Sequence, residues 1–109
     1  MIFNSTKKRV IARSFFKKGG FEKIVGQIGK KTPQAIVFKT RFGIHTLFMK
    51  YSIDIIVVDK NKKVVLTKRN LKPNRILVWN ILYDTVIELP SGSLYESKTT
   101  KGDILKFKL

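Results

Sequence analysis

From Leu47 to Val57 every odd position is apolar: Leu47, Met49, Tyr51, Ile53, Ile55 and Val57. The even positions through Val58 read Phe48, Lys50, Ser52, Asp54, Ile56 and Val58, polar in the middle and apolar at both ends. Only an extended chain sends alternate side chains to opposite sides, so this period of two, rich in β-branched residues, predicts a β-strand. The stretch is longer than the usual strand, which predicts a bend or bulge near Tyr51-Ser52. A strand with one apolar face needs neighbours to cover it, and the rest of the chain has to supply them.

Short apolar runs separated by turn chemistry do so. Asp59-Lys60-Asn61-Lys62 reads as a turn, and Val64 to Thr67 returns as the partner strand of a hairpin. Val10 to Ala12, Ala35 to Phe38, Ile76 to Trp79, Asp84 to Leu89 and Ile104 to Phe107 are further strands. Phe21, Ile24, Val25 and Ile28 share one face of a short helix that Gly29 would end, although Gly26 weakens it. Pro90-Ser91-Gly92 stops a strand, and Ser91 or Ser93 is placed to cap one helical turn through Glu96. The expected fold is mainly β: a compact single domain over residues 1–109, a small barrel or sandwich with one or two short helices.

Composition sets the electrostatics. Twenty-three Lys and Arg face seven acidic residues, a formal charge of +16. Such a field attracts polyanions without specifying a fold or a partner. Eighteen of the cations are lysine, a flexible point charge, and only five are arginine, the residue of bidentate phosphate and base contacts. Sequence-independent attraction to nucleic acid is the corresponding expectation, and a solvated lysine-rich surface is the plainer one. The absence of cysteine removes disulfides, thiol nucleophiles and thiolate metal sites. The opening residues lack the apolar core of a secretory signal, and Ile55 to Val58 is far too short to span a bilayer. A soluble cytoplasmic protein with no membrane contact is the expectation.

Chemistry-bearing motifs are scarce. Ser91 lies in LPSGS, without the G-x-S-x-G pattern of a nucleophile elbow, and no glycine-rich phosphate loop is present. His45 is the only imidazole, and seven carboxylates at no ligand spacing give no metal site. No cofactor and no catalytic residue are assigned. What remains is a set of polar residues in apolar surroundings. Lys50, Ser52 and Asp54 would form a row about 6 to 7 Å and about 13 Å apart along an extended strand. Asp54 would line a polar groove there, or accept backbone N–H bonds from a neighbouring turn. Glu88, among Val, Ile and Leu, reads as the outward residue of an alternating strand or as a charge partner of Arg41 or Lys50 across the sheet. His45 is either a base that titrates near neutrality or a ring bonded to a backbone carbonyl. The candidate binding site is therefore His45, Lys50, Ser52, Asp54, Glu88 and Arg41, for a small ligand of unassigned identity.

The order RFGIHTLFMKYSIDIIVVDKNKKVV, LKPNRI, VIELPSG and KGDILKF resembles the family catalogued as domain of unknown function 192, from near Phe38 to the C-terminus. The resemblance implies a compact β-rich fold and brings no biochemical activity with it. His45, Phe48, Met49, Asp54, Glu88, Leu89, Pro90, Gly92, Gly102 and Asp103 match its pattern. Such sequences commonly have Pro where this chain has Ser52, and Gly in the hairpin turn where it has Lys62.

Overall fold

The computed structural model describes residues 1–18, 34–41, 43–46 and 49–108. The helix expected over residues 21–28 lies outside them, as do Phe42, Leu47 and Phe48.

The centre of the fold is the strand IDIIVV, here β6 (Ile53–Val58), all six residues of which are buried. It lies in a five-stranded sheet of order β3-β4-β9-β6-β7, with β3 (Phe16–Lys18), β4 (Ile36–Lys39), β7 (Val64–Leu71) and β9 (Thr85–Pro90). β3 and β4 run parallel, and the other neighbours are antiparallel. A three-stranded sheet of order β10-β1-β2 joins β1 (Ile2–Asn4), β2 (Arg9–Ala12) and β10 (Leu105–Lys106). A two-stranded ribbon pairs β5 (Gly43–His45) with β8 (Ile76–Val78), and α1 (Ser93–Ser97) is the one helix among the described residues. The sheets form a sandwich-like arrangement and do not close into a barrel.

Two cores result, one on each face of the central sheet. Ile56 and Val58 of β6 and Ile87 and Leu89 of β9 pack with Ile2, Leu94, Leu105 and Phe107. Ile53, Ile55 and Val57 join Ile36, Phe38, Met49 and Val86 on the other face, under Ile44 and Leu77 of the ribbon. Burying one such aliphatic side chain contributes about 1.5–3 kcal/mol, so a strand covered on both faces dominates the stability of a domain this size. This two-sided burial replaces the half-polar strand expected from the alternation.

The expected bend is present. The chain bends at Lys50 and Tyr51, and the regular strand begins only at Ile53. The β6–β7 hairpin closes as its turn residues suggest: the Asp59 carboxylate accepts the Asn61 and Lys63 N–H groups, and Lys62 takes a left-handed φ of 61°. At the far end of the hairpin, Ile53 pairs with Leu71 and Ile55 with Lys68, which leaves one extra residue in β7. Asn70 in this bulge also has positive φ, 53°.

Several strands escape the pattern of the sequence. β1 precedes the expected first strand, and β3 and β5 are three residues each. β5 sits so close to β8 that a Cβ at Gly43 would overlap the Leu77 carbonyl oxygen. Thr46, at the end of β5, is fully buried. Its hydroxyl donates to the Lys72 carbonyl at 2.7 Å and accepts the Arg75 N–H at 2.8 Å, fixing the turn that leads into β8.

A buried polar cluster joins the two ends of the chain. The Asn4 amide donates to Thr99 Oγ1 at 3.0 Å and to Asp103 Oδ2 at 2.8 Å, and Lys7 Nζ reaches the same carboxylate oxygen at 2.9 Å. The Thr100 N–H adds a third donor. Burial alone would raise the Asp103 pKa, but these bonds and the Lys7 charge outweigh it and hold the carboxyl below its ordinary value. A depressed folded-state pKa gives stability that is present above the ordinary value and lost as pH falls through the folded one. Wild-type protein is therefore expected to lose stability below about pH 3.8. Asp103→Asn is expected to lower stability at pH 6 by roughly 2–3 kcal/mol, as charge-assisted bonds of this kind contribute, and to flatten the acid limb of a denaturation-against-pH curve.

Candidate functional site

Neighbouring pairs on β6 and β9 decide where the two candidate carboxylates go. Asp54 pairs with Leu89, and Ile55 with Glu88. Asp54 shares the parity of Ile56 and Val58, whereas Glu88 shares that of Val86, so the two side chains leave the sheet on opposite faces. No single cleft contains both.

Asp54 is 1% exposed and fully engaged. Its Oδ1 accepts the Asn70 N–H at 3.0 Å, which the bulge has removed from the ladder. Its Oδ2 accepts the Gly92 N–H at 3.1 Å and the Leu94 N–H at 2.9 Å. Those two groups are the cap and the second residue of α1, among the amides that no intrahelical carbonyl can satisfy. Neither serine proposed as a cap performs that task. Gly92 is the N-cap and has no side chain to offer. Ser91 Oγ bonds Asn70 Oδ1 and Ser93 Oγ donates to the Pro90 carbonyl. A carboxylate 38 residues upstream of Gly92 thus starts the helix. Of the two readings the sequence left open for Asp54, the geometry matches the acceptor of backbone N–H bonds.

Glu88 is the opposite case. It is 5% exposed, in the core that holds Ile36, Ile55 and Val86. Its Oε1 is buried and has no hydrogen-bond partner among the described residues. Burial raises its pKa from 4.5 to about 7, because an ionised carboxylate loses its hydration there. The nearby Tyr51 hydroxyl is also raised, by its own burial first and then by the Glu88 charge. Neither cation proposed for Glu88 forms an ion pair with it. Arg41 donates to the Ile81 carbonyl at 2.7 Å and pairs with Asp84 at 3.7 Å. Lys50 is exposed on the bend. The alternation misjudged Glu88 because both parities of β9 are apolar, and both of its faces are covered.

The other candidates lie outside the regular strand. Ser52 is half-buried just before β6, so Lys50, Ser52 and Asp54 do not make one extended row. His45 ends β5 opposite Ile76, with its residue exposed. Among the described residues no three His, Cys, Asp or Glu side chains gather as a metal site, and no helix is long and apolar enough to cross a membrane.

Known proteins share this framework. The model of the DUF192 family, described as an uncharacterised ACR, matches residues 28–107. UPF0127 protein PH1112 of Pyrococcus horikoshii is 37% identical over a 103-residue alignment that covers 89% of this chain and 84% of that protein. A crystal structure of a protein of unknown function from Novosphingobium aromaticivorans superposes with a TM-score of 0.81 at 16% identity, covering 97% of this chain and 82% of its own. Another, from Sinorhizobium meliloti and provisionally described as a transcription regulator, gives 0.82 at 13% identity, covering 96% and 88%. At such identities the two structures speak for the fold alone. With the family model spanning most of its length and a relative this similar, the chain belongs to the DUF192 (UPF0127) family.

Proposed function

We propose that the domain is a non-enzymatic binding module whose recognition group is Glu88, beside Tyr51 on the sheet face under the β5–β8 ribbon. The observation that carries this is the buried Oε1 with no partner among the described residues. An unpaired buried polar atom costs roughly 1–3 kcal/mol, and a charge costs more, so a chain that keeps one at a central position has a use for it. The fitting ligand is a small molecule that presents an N–H donor, an amine or amide, to the carboxyl oxygen. Its binding would favour the ionised carboxylate and lower the raised pKa. The test is a thermal-shift screen of small amines and amides at about pH 7, run on wild type and Glu88→Gln. A compound that stabilises wild type and leaves the glutamine variant unmoved supports the reading. A screen in which every stabilising compound acts equally on both would contradict it.

A second reading has a different surface behind it. Lys68, Lys72 and Arg75 line a groove of about 470 Å³ beside edge strand β7, in a chain of formal charge +16. It is a nonspecific nucleic-acid-binding surface. Phosphate contacts release counterions, so the affinity for a labelled single-stranded oligonucleotide should fall steeply between about 50 and 200 mM salt. Absence of binding at the lowest salt would remove this reading.

A further inference from the structure

We propose that a second binding site, on the other side of the central sheet from Glu88, takes a small aromatic carboxylate in the groove beside the paired strands β1 and β10. Phe3, Phe15 and Phe107 line it together with Lys62, Lys106 and Lys108, around a volume of about 590 Å³. That lies within the range of small-molecule sites, which typically pair apolar walls with a few charged groups. Half-buried Phe3 and Phe15 give it an aromatic lining, and the Phe15 ring meets the buried Phe107 ring edge to face, with centroids 6.2 Å apart at 81°. A flat aromatic body gains ring-to-ring contacts there that a saturated chain cannot make. Among the described lining residues the charged side chains are all lysines, Lys62, Lys106 and Lys108.

Lys62 is the distinguishing residue. Its ammonium stands 5.0 Å from the centre of the Phe107 ring, and the residue lines the groove. Its backbone is fixed in the left-handed region at φ 61°, and its carbonyl accepts the Leu105 N–H at 2.9 Å. That conformation suits glycine better than any branched or long side chain. The lysine brings a cation to the groove beside Phe107, within reach of a carboxylate whose ring lies against Phe3 and Phe15.

The same backbone makes Lys62→Gly a clean test, because glycine adopts this φ without penalty and the turn should form unaided. The probes are 2-naphthoate and, as a cation of matching shape, 2-naphthylmethylammonium, titrated by nuclear magnetic resonance. Wild type is expected to bind 2-naphthoate on the order of 100 µM, with shifts in the Phe3, Phe15 and Phe107 ring signals, and to bind the cation at least tenfold more weakly. Lys62→Gly should melt no lower than wild type and bind 2-naphthoate at least fivefold more weakly. Octanoate should bind more weakly than 2-naphthoate. Equal affinity for the two naphthyl ions, full affinity in Lys62→Gly, or ring signals that do not move would each overturn the assignment. Glu88→Gln should leave this binding unchanged, which separates the result from the fate of the Glu88 reading.

Discussion

Replacing Asp54 with alanine is expected to destabilise the domain by roughly 3–5 kcal/mol, a large part of the 5–15 kcal/mol that a domain normally possesses. The carboxylate is the acceptor for three backbone N–H groups, on Asn70, Gly92 and Leu94. Leu94 is fully buried, so no water replaces the lost oxygen at that point. The loss acts in two places, on the bulge in β7 and on the first turn of α1. Asp54→Asn is expected to cost less, roughly 2–3 kcal/mol, because one oxygen survives while the amide nitrogen opposes a donor. Urea denaturation followed by circular dichroism measures both. Amide hydrogen exchange should locate the damage, with Asn70, Gly92 and Leu94 losing protection before the rest of the central sheet. An Asp54→Ala protein within about 1 kcal/mol of wild type would mean that the three bonds contribute little.

The second large effect has the opposite sign. Glu88→Gln is expected to stabilise the protein above neutral pH. A carboxyl with a folded-state pKa of about 7 against an ordinary 4.5 binds its proton more tightly in the folded state. Its favourable contribution is complete below about pH 4.5 and is lost as pH rises through about 7, where folding must take an ionised group into the core. At 1.36 kcal/mol per pH unit the interval corresponds to roughly 3 kcal/mol, an upper bound because water and local relaxation soften the burial. Glutamine keeps the shape without the charge. At pH 8 the variant should melt about 10–15 °C above wild type, and at pH 4.5 the two curves should nearly coincide. Equal melting at both pH values would show that Glu88 reaches solvent or a cation when ionised. Stability lost by keeping a glutamate here is the kind of cost that functional sites carry.

The contrast between these two carboxylates marks what the sequence can and cannot convey. IDIIVV, the hairpin at Asp59-Lys60-Asn61-Lys62 and the strand through VIEL are local patterns, and each forms where its period and turn residues indicate. The bend near Tyr51 follows from length alone. β1 carries no such pattern: three residues have too little alternation to register, and the strand exists because β2 and β10 pair with it, the latter from the opposite end of the chain. The partners of Asp54 are 16, 38 and 40 residues away, so nothing near it in the sequence distinguishes a capping carboxylate from a binding one. For Glu88 the sequence does carry a signal. Val86, Ile87 and Leu89 are apolar at both parities, which marks a strand covered on both faces, and such a strand has no outward side for a glutamate. Lys62 lies between these cases: the turn was legible, whereas its left-handed backbone and its position over Phe107 needed the third dimension.

The role given to Glu88 rests on a buried Oε1 without a partner among the described residues and on a carboxyl reluctant to ionise. The most direct measurement is the pH titration of its side-chain carboxyl carbon by carbon-13 nuclear magnetic resonance, assigned by comparison with Glu88→Gln. A midpoint near 7 is the expected result. A midpoint close to the ordinary 4.5 would mean that the carboxylate is solvated or paired in solution, and Glu88 would have no claim as the recognition group.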